Sequence, residues 1–278
     1  MSDPVTALVA AALFALAAWW LGTGIVLHLQ QRMQRQVRPR KAVLATAVAA
    51  LGVLAVVALE VASGRSGTIA SLAGFTAAIV LWGALELSHL LGFVTGIHDA
   101  PCPAGTTARE RFRLALGTSL WHELSVLGVG ALLIALLAGS PDPTGLYTYL
   151  VLWLMRWSSK LNLFFGVPHF STEWFPERLA HVASYIRHAP VSAFYPVSIA
   201  LALVAFAALA RLALSSPDTH TLVHALPASL LLLAIAEHMF MALPIADTRL
   251  WNRVFASRSA GARGPQLTAP DDPPRRTA

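Results

Sequence analysis

The stretch VTALVAAALFALAAWWLGTGIVLHL, Val5–Leu29, runs without a single Asp, Glu, Lys or Arg. A helix that crosses a bilayer needs about 20 mostly apolar residues, because each adds 1.5 Å of rise through a hydrocarbon layer roughly 30 Å thick. This run is long enough. It is too long for the apolar core of a signal peptide, and no basic residue precedes it. It reads as a first transmembrane helix that stays.

Six further runs of the same kind follow: Ala42–Ala62, Ile69–Gly96, Leu114–Ala138, Leu146–Val167, Phe194–Leu214 and Leu222–Ala246. The expected fold is all-α, a polytopic bundle of seven transmembrane helices over residues 1–255. The tail, 256–278, has no apolar face from Gly261 onward and is expected to be disordered. Composition agrees. Charged residues are 12% of the chain, where a soluble domain carries about 25%. Mean hydropathy is +0.62.

The net charge of +6 sits mostly in loops between the apolar runs. Nucleic acid is excluded as a partner, since no basic helix or aromatic platform appears. The first loop carries Arg32, Arg35, Arg38, Arg40 and Lys41, the third Arg109, Arg111 and Arg113, and the fifth Arg178 and Arg187. The even loops are nearly free of cations, with Arg65 and Arg211 as single exceptions. Cationic loops stay inside. The N-terminus is therefore expected outside and the C-terminus in the cytoplasm. The lone cysteine, Cys102, then lies in a cytoplasmic loop and reads as a spectator thiol.

The fifth loop also contains EWFPERLAHVASYIRH. Phe175, Leu179, Val182 and Ile186 fall on one helical face, and Pro176 suits a first helical turn. A short amphipathic helix on the membrane interface is expected between spans five and six.

Ionisable residues interrupt the spans at particular places. LWHELSVLG, Leu120–Gly128, sets His122 beside Glu123; AEHMFMALP, Ala236–Pro244, sets Glu237 beside His238. Span three adds Glu86 and His89, and span five adds Arg156 and Lys160. Counted from the expected cytoplasmic ends, these groups share a layer roughly 10–16 Å deep. Charged groups facing lipid separately would cost about 2.5–3.5 kcal/mol each, so they are expected to face the bundle interior and pair. Glu86 and His89 share a face, as do Arg156 and Lys160. Adjacent residues diverge by about 100°, so one member of each His-Glu pair is expected to lie behind the other.

Three readings of the layer stand beside each other. Glu86-Leu-Ser-His89 matches half of the Glu-x-x-His vocabulary of carboxylate-bridged iron, with His122, Glu123, Glu237 and His238 as further candidate ligands of a metal ion. No second Glu-x-x-His exists, and Glu86, Glu123 and Glu237 against Arg156 and Lys160 sum to −1 with neutral histidines. One protonated histidine brings that sum to zero without a metal. The second reading is purely structural, interhelical pairs that set register. The third is a proton path or polar ligand pocket.

The blocks WGALELSHLLGFVTG, LWHELSVL, LVLWLMRWSSKLNLFFGVP, SYIRHAPVSAFYPVS and AEHMFMALP together resemble the PuhE family, photosynthetic complex assembly proteins of purple phototrophic bacteria. The resemblance covers the chain from the first span to Pro244. It implies a multi-pass protein of the bacterial cytoplasmic membrane. The implied partners are the lipid bilayer, reaction-centre subunits or pigment-synthesis proteins. It implies a role in reaction-centre assembly, with bacteriochlorophyll or another tetrapyrrole handled in a polar intramembrane pocket. The alternative is a membrane-embedded metal-dependent oxidoreductase. Residue by residue, the resemblance carries over Glu86, His122, Glu123, Arg156, Lys160, Asn162, Glu237 and His238. It does not carry over His89 or His169, where the family pattern tends to an aromatic and to Asn.

Overall fold

A computed structural model describes residues 4–34, 41–170, 176–217 and 220–243. Eight α-helices follow one another: α1 (Pro4–Gln34), α2 (Lys41–Ser63), α3 (Thr68–Leu90), α4 (Ala108–Gly117), α5 (Leu120–Leu137), α6 (Thr144–Phe165), α7 (Phe194–Ser215) and α8 (Thr221–Ala242). A 3-10 helix, Glu177–Tyr185, lies between α6 and α7. The described residues contain no strand beyond one isolated bridge, Val167 to His188. The expected disordered tail lies outside the described residues.

Six of these helices, α1, α2, α3, α5, α7 and α8, are long and apolar enough to cross a membrane. Their outward residues are apolar, as with Leu21, Val53, Leu54, Leu201 and Val204. The segment expected as the fifth span is helical, as α6, over 22 residues. It is not among the six, because Arg156, Lys160, Asn162 and two serines dilute its apolar content. Its position accounts for this. α6 packs against α3, α5, α7 and α8, and a helix enclosed by neighbours can carry polar groups that lipid would not tolerate.

Small residues let α6 enter the bundle. At its first turn Gly145 lies against Gly74 of α3, where a Cβ on Gly74 would come 3.3 Å from the Gly145 nitrogen. Lower down, Trp82 of α3 meets Tyr149 of α6 edge to face at 5.7 Å. Phe75, Tyr149, Leu133 and Leu226 are fully buried around this axis. Asp142 starts α6. Its Oδ1 accepts from the Thr144 N–H at 3.0 Å and its Oδ2 from the Ser71 hydroxyl at 2.5 Å. It thereby satisfies an orphan donor of the first turn and ties α6 to α3.

Three expectations are corrected. Span three ends at Leu90, not Gly96: Gly92 has φ +75 and turns the chain away. The expected span Leu114–Ala138 is broken at Thr118–Ser119 into α4 and α5. Gly117, Thr118 and Ser119 are weak helix formers. The tertiary reason is the loop after α3, which enters at the break. Ile97 N–H donates to the Gly117 carbonyl at 2.8 Å, and His122 N–H donates to the Thr95 carbonyl at 3.0 Å. Thr107 opens α4 by accepting from the Glu110 N–H at 3.3 Å, half of a capping box.

The third correction is the amphipathic helix of the fifth loop, which is 3-10 rather than α. Leu179, Val182 and Tyr185 recur every three residues, which matches three residues per turn, and Leu179 and Tyr185 are buried. Pro176 is its N-cap, outside the first turn. Phe175 lies outside the described residues.

Candidate functional site: a split polar layer

Most of the ionisable residues lie near helix ends, with Arg156, nine residues from the end of α6, set deeper. Glu86 lies four residues before the end of α3, and His122 and Glu123 lie in the first turn of α5. The layer is therefore shallower than counted from the sequence, because α3 is shorter and α5 starts later.

Six of the expected residues come together on one side of α6. Arg156 Nε lies 3.0 Å from Glu86 Oε1. His122 Nε2 approaches the same oxygen at 3.8 Å, too far for a hydrogen bond. Lys160 Nζ pairs with Glu123 Oε1 and lies 3.2 Å from the Ser119 hydroxyl. His89 stacks on His122 with ring centroids 4.5 Å apart and an interplanar angle of 28°. The His89 Nδ1 is 3.2 Å from the Val94 carbonyl, which makes Nδ1 the protonated, donating nitrogen. His122 is almost wholly buried, and its Nε2 has no hydrogen-bond partner. Two carboxylates face two cations here, so this side is neutral with neutral histidines.

The opposite face of α6 carries a separate group. Residues two apart on a helix point about 200° away from each other, so Ser158 and Asn162 turn from Arg156 and Lys160. Asn162 donates from Nδ2 to the Ser198 hydroxyl of α7 and to the Ser158 carbonyl, both at 3.0 Å. The Ser158 hydroxyl lies 3.0 Å from His238 Nε2, and His238 Nδ1 lies 2.8 Å from the Ala234 carbonyl. Nδ1 is then the donor, and Nε2 accepts from Ser158. Tyr195 of α7 closes the group by donating to the His238 carbonyl at 3.1 Å.

Glu237 joins neither group. It faces outward, and its Oε1 accepts from Trp19 Nε1 of α1 at 2.8 Å. The adjacent pair Glu237-His238 thus diverges as helical geometry requires, with the histidine turned in. His122-Glu123 behaves differently, with both side chains buried and each given its own partner on α3 or α6. Serines 119, 158 and 198, Trp19 and Asp142 escaped the sequence reading. The i, i+4 spacing of Ser158 and Asn162 was the one available signal.

A family profile, described as protein of unknown function (DUF3623), matches residues 5–262. The chain belongs to the DUF3623 family. It is 34% identical over 249 residues to a protein of Rhodobacter capsulatus described as an uncharacterized 30.4 kDa protein in the puhA 5' region, covering 88% of this chain and 90% of that one. No solved structure matches.

In this DUF3623 member the loops at the α6 C-terminus close over the layer. Arg111 of α4 donates from Nη1 to the Tyr185 carbonyl at 3.0 Å and from Nη2 to the Phe164 carbonyl at 2.8 Å. Its guanidinium also lies 4.0 Å over the Phe164 ring. Arg178 of the 3-10 helix donates to the Leu91 carbonyl at the end of α3. The Tyr185 hydroxyl donates to the Ala100 carbonyl at 3.0 Å and lies 2.9 Å from His98 Nε2. Burial pushes the Tyr185 phenol above its usual pKa, so it acts as a neutral donor.

Among the described residues, no three His, Cys, Asp or Glu side chains gather in a metal-holding arrangement. Glu86 and Glu123, the two candidate carboxylate ligands of the cluster, each already have a cation. The metal of a tetrapyrrole takes an axial histidine through a ring-nitrogen lone pair, and that nitrogen must be free and open to the macrocycle. His122 is stacked on His89 and buried, and both ring nitrogens of His238 are engaged. As arranged, these histidines do not fit axial ligation.

Proposed function

We propose that this chain is an assembly factor for the photosynthetic reaction centre. In this reading it spans the bacterial cytoplasmic membrane seven times, with α6 as the fifth span, the N-terminus outside and the C-terminus in the cytoplasm. Its partners are reaction-centre subunits or pigment-synthesis proteins. The observation that carries the reading is the relative in the puhA 5' region, similar over 88% of this chain. The sequence blocks that resemble the PuhE family agree with it.

The polar layer supports a binding or scaffolding role over catalysis. Pairing every charge inside an apolar bundle costs desolvation that surface pairs avoid, and interhelical polar contacts in membranes average only about 0.6 kcal/mol. Such a core is retained for specificity or ligand recognition rather than for strength. The oxidoreductase alternative has weaker support, because its carboxylates are occupied by Arg156 and Lys160.

A gene deletion in a phototrophic host, complemented with the intact chain, tests the reading. Reaction-centre yield, read from the near-infrared absorption of membranes, is expected to fall on deletion and recover on complementation. Unchanged yield on deletion would discard it. The optical spectrum of the purified protein separates pigment handling from a scaffolding role.

A further inference from the structure

We propose that Arg156 and Trp153 form the recognition end of a site for a neutral, lipophilic molecule that presents a ketone or quinone carbonyl. This rests on the reading of α6 as a membrane span. Arg156 Nε faces Glu86 as a charge pair at 3.0 Å without hydrogen-bond geometry, and among the described residues its terminal Nη groups make no hydrogen bond. Trp153, three residues earlier and therefore adjacent on the helix surface, has its indole Nε1 buried with no acceptor. Both groups are donors only, and a guanidinium does not shed its proton. In hydrocarbon every such N–H must find an acceptor. The described residues supply none, while the Arg156 side chain remains 29% exposed and so reachable.

Depth and charge narrow the class. Arg156 lies nine residues from the end of α6 at Phe165, about 14 Å at 1.5 Å per residue. That is deeper than lipid headgroups. Glu86 and Glu123 already balance Arg156 and Lys160, so an anion would bring an uncompensated charge into the interior. A neutral carbonyl accepts the free N–H groups and leaves the balance intact. Trp153 adds an apolar ring, set 3.9 Å from where a Cβ on Gly130 would stand.

The test uses the full chain in lipid nanodiscs. The probe is a long-chain methyl ketone isotopically labelled at its carbonyl, read by infrared spectroscopy. The expected result is a saturable bound band shifted to lower frequency, weakened at least about tenfold in affinity by Arg156→Lys. That variant keeps the charge opposite Glu86 but loses the terminal fork. Trp153→Phe, which keeps the ring and removes one donor, should weaken binding more modestly. Three outcomes overturn the proposal: no shifted ketone band, tighter binding of labelled palmitate than of the ketone, or a shifted lipid ester band in place of the ketone band. Pro141→Cys and Phe165→Cys, exposed positions at the two ends of α6, each combined with Cys102→Ser and probed from each side, test separately whether α6 crosses. Reaction-centre yield in the deletion strain tests the assembly role alone.

Discussion

Arg156 Nε and Glu86 Oε1 stand 3.0 Å apart across the α3–α6 contact, and this ion pair joins the two helices at the heart of the polar layer. Removing one partner strands the other. Glu86→Gln or Arg156→Met is expected to destabilise the folded protein by about 3 kcal/mol, the lower end of the range for broken buried pairs, because Arg156 is partly exposed. The double change Glu86→Leu with Arg156→Met should cost clearly less than the sum of the singles. Thermal unfolding in detergent measures all three, and additive costs would show that the pair is not coupled.

Gly96 meets the backbone of Gly117 and Thr118 so closely that a Cβ has no room. The obstacle is main chain, which cannot rotate away. Gly96→Ala should lower stability by about 3 kcal/mol or more, and detergent-extracted protein should be largely aggregated by size-exclusion chromatography. Gly128→Ala provides the contrast. It lies inside α5 with nothing within 4 Å of its Cβ, so gain of helix propensity should make it neutral or stabilising by up to about 1 kcal/mol.

Arg111 holds the Phe164 and Tyr185 carbonyls with separate Nη groups. A lysine cannot reproduce that fork. Arg111→Lys should loosen the segment 176–190 nearly as much as Arg111→Ala, at about 2 kcal/mol of local opening free energy. Hydrogen exchange of that segment reads the effect, and full protection in the lysine variant would contradict it.

Asp142, just before α6, accepts from the Thr144 N–H of its first turn and from Ser71 of α3. Asp142→Ala should cost about 1–2 kcal/mol. Asp142→Asn keeps an acceptor for the Thr144 N–H and should cost about half as much. Melting temperatures of the two variants in one detergent give the ranking.

Cys102 is only partly buried, and its N–H is bound by the Ser184 hydroxyl at 2.8 Å. With the third loop in the cytoplasm, a membrane-impermeant maleimide should label it in inside-out vesicles and not in right-side-out spheroplasts. The reverse pattern would invert the proposed orientation.

What the sequence determined by itself was the helical, membrane-embedded class. Apolar runs such as Val5–Leu29 read this way because length and hydropathy are local properties of a segment. It also marked Glu86, His122, Glu123, Arg156 and Lys160 as groups that must find partners, since ionised side chains in hydrocarbon require them. Only the tertiary structure decided which partners. The rotation of α6 about its axis sends Arg156 and Lys160 to one side and Ser158 and Asn162 to the other, and a periodicity cannot tell which neighbour occupies each side. The break between α4 and α5 was equally hidden, because the loop at Thr95–Ile97 that fills it comes from more than twenty residues earlier in the chain. Glu237 reads like Glu123 in the sequence. It stands outside the cluster because its helix turns it toward Trp19, and helix rotation is set by packing that no single segment encodes.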